Sequence, residues 1–272
     1  MLKQRVVTAV ILAILLLVAV FTLPAWAWAA LVTVMVMQGA WEWSRLTMMQ
    51  GLTAAAYLAT TLILFALILA MYAVVHPYLN TPVKLAIYGM SAVFWIVLVP
   101  LWFKHRWNIN KPGLLGLIGW LVLLPTGMAM LDLRAANPQP WWLLGVMVMV
   151  WVADISAYFV GRQFGRNKLA PTISPGKTWE GVAGAIVGVL IYVGRVMYAN
   201  DMTQRYSLLL FAVAGVALSV LGDLFESAIK RLAGVKDSGN LLPGHGGLLD
   251  RIDALTSTLP LAALALILMR HV

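Results

Sequence analysis

Apolar residues run through this chain with few interruptions: the stretches 6–41, 46–83, 85–103, 112–131 and 135–153 contain no Asp, Glu, Lys or Arg. A helix that crosses a bilayer needs roughly 17–25 predominantly apolar residues. The pattern predicts nine spans, at about 6–22, 25–41, 53–75, 83–103, 113–132, 141–160, 181–199, 206–222 and 250–269. Pro24 divides the first run into two helices, because one unbroken helix there would overshoot the bilayer. The shorter runs 181–194, 206–222 and 254–269 span only with flanking residues, Arg195 reaching an interface by snorkelling. Residues 6–22 are too long and unbroken for the apolar core of a cleavable signal and are read as the first span. The fold class is all-α: a polytopic integral membrane protein with no tandem repeat or low-complexity linker. We read 1–272 as one membrane domain, with generic helices over 1–140 and the chemistry over 141–272, in two elaborated loops, 161–180 and 223–249.

Composition agrees. Of 272 residues, 62% are hydrophobic and 11% charged, against about 25% charged in soluble domains, and the mean hydropathy is +0.90. With no cysteine, disulfides and thiolate chemistry are excluded. The net charge of +9 needs no nucleic acid, since topology and anionic headgroups account for it. Nine spans with the N-terminus inside place Lys3, Arg5, Arg45, Lys104, Arg106, Lys111, Arg162, Arg166, Lys168, Lys177, Lys230, Arg231, Lys236 and Arg251 on one face. The other face receives only Lys84, Arg134, Arg195, Arg205 and Arg270. The positive-inside rule puts the richer face, and with it both loops, in the cytoplasm.

Against this background the segment Asp223 to Asp253 stands apart, because it holds five of the ten carboxylates. Ionisable groups beside membrane-buried segments are costly, so they mark a functional site; the residue types indicate metal and phosphate. Asp223, Glu226, Ser227 and Lys230 share one face of a continuing helix. Glu226–Lys230 also reads as an ordinary i,i+4 pair. Gly244, Gly246 and Gly247 permit positive φ and close approach of backbone N–H groups to phosphate oxygens. A helix starting near Leu248 would point its N-terminal dipole at the same anion. Asp250 and Asp253 lie three apart on that helix, and carboxylates of this kind suit a hard cation such as Mg²⁺, bridging protein to phosphate. Arg251 has the geometry to clamp a phosphate, or to pair with Asp237 or Asp253. His245 is open to three roles: ligand, phosphate donor or loop-ordering residue.

The other loop contains Ser174-Pro175-Gly176-Lys177-Thr178-Trp179-Glu180-Gly181. It is not a P-loop, since Pro171 stands where the first glycine belongs and a membrane helix precedes it. Gly176, Lys177 and Thr178 still suit a phosphate, while Arg162, Arg166 and Lys168 fit contact with a triphosphate or lipid headgroups and a merely positive-inside loop about equally well. Asp154, inside the sixth span, must be paired, protonated or lining a polar cavity; Tyr158 at i+4 is a candidate partner. Most tryptophans flank spans (Trp26, Trp28, Trp41, Trp43, Trp107, Trp141, Trp142) and read as interface anchors.

The run from Ser227 through Lys230-Arg231, Lys236-Asp237, Gly239, Pro243, His245-Gly246-Gly247 and Asp250-Arg251 to Asp253 closely resembles the signature of phosphatidate cytidylyltransferases. The Ser174–Gly181 stretch and Asp154-x-x-Ala157-Tyr158 resemble that family too. The resemblance implies an enzyme that joins CTP to phosphatidic acid, yielding CDP-diacylglycerol and pyrophosphate, in a bacterial cytoplasmic membrane, with Mg²⁺ required and a homodimer expected. A second, monovalent cation is left open. On this reading Asp223 and Asp250 hold the metal, with Asp253, Ser227 and Asp154 supporting. Lys230, Arg231, Arg251, Lys177 and His245 handle phosphates, and Ser174, Gly176, Thr178, Lys236, Asp237 and the Gly244–Gly247 backbone bind substrate. A cation-coupled transporter is the rival, but it would favour internal symmetry, and none is visible. A CDP-alcohol phosphotransferase would need an Asp-Gly-x-x-Ala-Arg pattern that the chain lacks.

Overall fold

The computed structural model describes residues 2–74, 77–105, 107, 109, 111–136, 140–201, 206–241, 244 and 246–270. The helices are α1 (Leu2–Thr22), α2 (Ala25–Leu46), α3 (Gly51–Val74), α4 (Pro77–Val93), α5 (Val99–His105), α6 (Pro112–Ala135), α7 (Trp141–Phe164), α8 (Trp179–Ala199), α9 (Ser207–Leu232) and α10 (Leu249–Arg270). A π-helical stretch, Phe94–Leu98, joins α4 to α5 into one rod. Among the described residues, seven helices are long and apolar enough to cross a membrane, and Val10–Thr22 is a shorter apolar helix. The break at Pro24 falls where expected, between α1 and α2. The other helix of the expected first pair, α2, is not among the seven, so the structure supports the class and not the count of nine.

One departure from all-α is local. The 161–180 loop folds as a hairpin, β1 (Lys168–Ala170) antiparallel to β2 (Ser174–Thr178), pairing Lys168 with Thr178 and Ala170 with Ser174. Asn167 and Glu180 close its base, with Asn167 Nδ2 donating to Glu180 Oε1 at 2.7 Å. Short polar strands rich in Gly and Pro carry no period-2 apolar signal, which is why a loop was expected.

Helix α10 is the hub, packing on α9, α6, α4, α7 and α2. It meets α9 closely enough that a Cβ on Gly222 would come within 2.6 Å of the Asp253 carbonyl oxygen and of Ser257 Oγ. Ser257 Oγ also donates to the Leu218 carbonyl at 2.7 Å. Only glycine allows this backbone-to-backbone approach. A ring of aromatics then fixes the C-terminal half of α9: Phe94, Trp95 and Trp102 meet Phe225 edge-on at 5.5, 5.3 and 5.5 Å, and Trp43 stacks at 6.3 Å. A separate small core of Ala153, Ala185, Val189, Ala212 and Val216 lets α7, α8 and α9 pack tightly.

Two of the expected interface tryptophans are core residues instead. Trp28 and Trp43 are 2% and 1% exposed, and their indole N–H groups donate to the Met130 and Leu115 carbonyls. Hydropathy alone does not separate an anchor facing lipid from one facing protein. Trp26, Trp41, Trp107 and Trp141 are exposed, in keeping with anchors. At the bundle's other end a buried-side ion pair joins α4 to α6, Lys84 Nζ to Asp132 Oδ1 at 2.6 Å, with the Tyr88 hydroxyl donating to the same carboxylate at 2.8 Å. A cavity of about 970 Å³ lies at that end, lined by Phe21, Trp26, Trp28, Tyr72 and Arg134 among others, far from the signature carboxylates.

Candidate active site

Three elements meet at the opposite end: the hairpin before α8, the last three turns of α9 and the first turns of α10. Helices α9 and α10 run antiparallel there, so their charged residues form a ladder. Lys230 Nζ, 2.8 Å from Glu226 Oε2, is also 2.6 Å from Asp250 Oδ1. The i,i+4 pair expected within α9 therefore exists, and it extends across to α10. Two turns deeper, Lys177 Nζ from the hairpin lies 2.6 Å from Asp223 Oδ2, and Ser227 Oγ donates to Asp223 Oδ1 at 3.3 Å. Asp223 precedes the end of α9 by nine residues, about 14 Å of helix rise. The ladder therefore reaches well below the helix ends.

Asp253, one turn into α10, accepts from the Ala254 amide at 2.8 Å and feels the charges of Asp223 and Glu226. Asp154 is exposed midway along α7, and its carboxylate senses Asp223 and Lys177, so it belongs to the same cluster of charges. Tyr158, the partner considered for Asp154, instead accepts from Arg162 Nη1 at 3.2 Å.

The glycine-rich turn has a different occupation from the one the sequence suggests. Helix α10 begins at Leu249, close to expectation. Its first amides, however, already hold protein carboxylates. The Gly247 amide donates to Asp250 Oδ2 at 2.8 Å, and the Leu248 and Leu249 amides donate to the two oxygens of Glu42 at 2.8 and 2.9 Å. Gly246 sits at φ +82°, a conformation that favours glycine. A Cβ on Gly247 would collide with Ser238 Oγ and Glu42 Oε2. These glycines make room for carboxylates from inside the protein.

Glu42 carried no signal among the candidate residues. A lone acid between Trp41 and Trp43 reads as an interfacial residue, and only the fold brings α2 to α10. Ser238 was likewise passed over; its amide and hydroxyl both donate toward Asp250 Oδ2, at 2.8 and 2.9 Å.

The expected substrate contacts differ in exposure. Gly176 is exposed and Ser174 half-buried on β2. Thr178 is buried and caps α8, its Oγ1 accepting from the Gly181 amide at 3.1 Å. Arg231, Lys236, Asp237, Gly244 and Arg251 are exposed, and Arg231 Nη1 donates to the Val235 carbonyl at 3.3 Å. Pro243 and His245 lie outside the described residues, as do Arg106 and Arg205.

Among the described residues no three acidic or His side chains converge tightly enough to chelate an ion. The charge balance nevertheless fits a cation. Asp154, Asp223, Glu226, Asp250 and Asp253 lie near two ammonium groups, Lys177 and Lys230, and among the described residues the buried Glu226 Oε1 has no hydrogen-bond partner. A buried carboxylate oxygen left unpaired is costly, and a hard cation with oxygen preference is the chemistry that would satisfy it.

Comparison with known proteins places the chain in a family. The profile of the Cytidylyltransferase family matches residues 3–269. A phosphatidate cytidylyltransferase of Pseudomonas aeruginosa is 40% identical over 273 residues, covering 97% of this chain and 96% of its own. One from Haemophilus influenzae is 37% identical over 281 residues, covering 96% of each. One from Thermotoga maritima is 44% identical over 138 residues, about half of each chain (48% and 49%). With a profile match over nearly its whole length and two full-length relatives above the level at which family is secure, this chain belongs to the cytidylyltransferase family.

Proposed function

We propose that the protein transfers the cytidylyl group of CTP to phosphatidic acid, giving CDP-diacylglycerol and pyrophosphate. The observation that carries the reading is the convergence of Lys177, Asp223, Lys230 and Asp250 from three separate elements, at one end of a bundle of long apolar helices. The full-length relatives named phosphatidate cytidylyltransferase supply the substrate pair. One substrate is soluble and the other stays in the leaflet, and a polar cluster at the helix ends is a place where both can meet.

The chemistry follows from the substrates. A lipid phosphate oxygen is already an anionic nucleophile, so no covalent enzyme intermediate and no general base are needed. It forms a bond to the α-phosphorus of CTP, the bond from that phosphorus to the bridging oxygen breaks, and pyrophosphate leaves with the electron pair. The protein's part is positioning and neutralisation of charge. Lys177 and Lys230 offer ammonium groups to phosphate oxygens, and the exposed Arg231 and Arg251 offer guanidinium groups. Asp223, Asp250, Asp253, Glu226 and Asp154, with the Ser227 hydroxyl, are the groups that would hold Mg²⁺. When bound, the ion would neutralise phosphate charge and polarise the leaving group.

The 14-to-5 distribution of basic residues supports a cytoplasmic position for this end of the bundle. The homodimer is part of this reading on the resemblance alone.

The test uses detergent-purified protein with phosphatidic acid and α-labelled CTP. Label should enter a lipid-extractable product only when phosphatidic acid and Mg²⁺ are both present. No labelled lipid from folded protein, across several phosphatidic acids, would overturn the reading in favour of a cation-coupled transporter.

A further inference from the structure

Glu42 lies in the last turns of α2, in the half of the chain that bears none of the signature motifs, and it is 0% exposed. A carboxylate buried to this degree has to be satisfied by donors. Four supply it. Gln38 Nε2 and the Leu248 amide donate to Oε1, both at 2.8 Å, and the Leu249 amide and Ser238 Oγ donate toward Oε2, both at 2.9 Å.

Three of those four donors belong to the 238–249 segment that leads into Asp250. From Ser238 the contacts continue to Asp250 Oδ2, and from Asp250 Oδ1 to Lys230 and Glu226. A serine hydroxyl has one proton and donates to one acceptor at a time. Ser238 therefore ties the settings of Glu42 and Asp250 together.

The start of a helix is a ready anion site, because its first amides lack intrahelical partners and the dipole favours negative charge. In this protein that place is filled from within. Glu42 takes the amides of Leu248 and Leu249, and Asp250 that of Gly247, so the turn entering α10 and its first amide are occupied. A substrate phosphate would have to displace a buried carboxylate to use them.

Resting on the transferase reading, we propose that Glu42 is a positioning residue for the transfer. It holds Ser238, Leu248 and Leu249 so that Asp250 keeps Lys230 in place, and it keeps phosphate from the amides at the entry to α10. Phosphate recognition then falls to the hairpin and the lysines, and α2 is a working part of the site.

The experiment compares E42Q, E42D and the control D201N, a turn residue at the other end of the bundle, with wild type. Folded fraction, kcat and KM for both substrates are measured on each. E42Q keeps the shape but replaces an acceptor oxygen by a donor. It should remain folded and lose ~10–100-fold in kcat, the usual size for residues that orient first-line groups, with both KM values within about twofold of wild type, as expected for an interaction that matters in the transition state. E42D keeps the charge with a shorter reach and should recover part of that loss.

Hydrogen–deuterium exchange, which needs no turnover, should show faster exchange over 238–250 in E42Q and no change in D201N. Wild-type kcat in folded E42Q, or unchanged exchange over 238–250, would overturn the proposal. So would a loss of activity that tracks the unfolded fraction alone. A wild-type protein that makes no labelled lipid is a distinct result, which overturns the catalytic role together with the function it rests on.

Discussion

Asp250 accepts from Lys230, from the Ser238 amide and from the Gly247 amide, and it shares the single Ser238 hydroxyl proton with Glu42. Asp250→Ala should fold, since Lys230 keeps Glu226, but turnover should fall by at least ~10²–10³-fold, the scale of losing one preorganised electrostatic group; retained turnover would remove Asp250 from the site. Lys177→Met should cost a similar factor while leaving the thermal midpoint in detergent close to wild type, because Lys177 is partly exposed and its ion pair contributes little to stability. Asp223, Ser227, Lys230 and Asp250 were all legible in the sequence, because charge is conspicuous among apolar runs and helical spacing puts it on one face. What spacing could not reveal is which amides were already occupied. That depends on Glu42, two hundred residues away along the chain.

At the scale of elements, α9 is located by its neighbours more than by its own sequence. Phe225, beside Glu226, is enclosed by rings from α2, the π-helical stretch and α5. Removing that ring should cost about 3–5 kcal/mol, as for other core Phe→Ala changes. Chemical denaturation of Phe225→Ala in detergent measures this, and an effect below about 1 kcal/mol would mean the cluster does not hold α9. Thr178→Ala, which removes the α8 cap, should cost about 1 kcal/mol by the same assay. The helices were readable from apolar run length, and the break at Pro24 from its chemistry. The β1–β2 hairpin was not, and neither was the inward turn of Trp28 and Trp43, because both depend on which neighbour arrives.

For the whole molecule, orientation is open to a direct check. The chain has no cysteine, so single cysteines report their own side. An impermeant maleimide should label Lys236→Cys only from the cytoplasmic face and Asp201→Cys only from the other; the reverse pattern would invert the topology. A second consequence belongs to the α9–α10 contact at Gly222. Two helices whose backbones touch, and which are pinned by Ser257 to Leu218, are hard to slide past each other. Bilayers of different thickness make spanning helices tilt, and this pair should tilt as one body, with the gap between Asp223 and Asp253 unchanged. An enzyme that feeds phospholipid synthesis would then run at nearly the same rate in short-chain and long-chain membranes, and Gly222→Ala, by wedging the pair apart, should make its rate depend on acyl length.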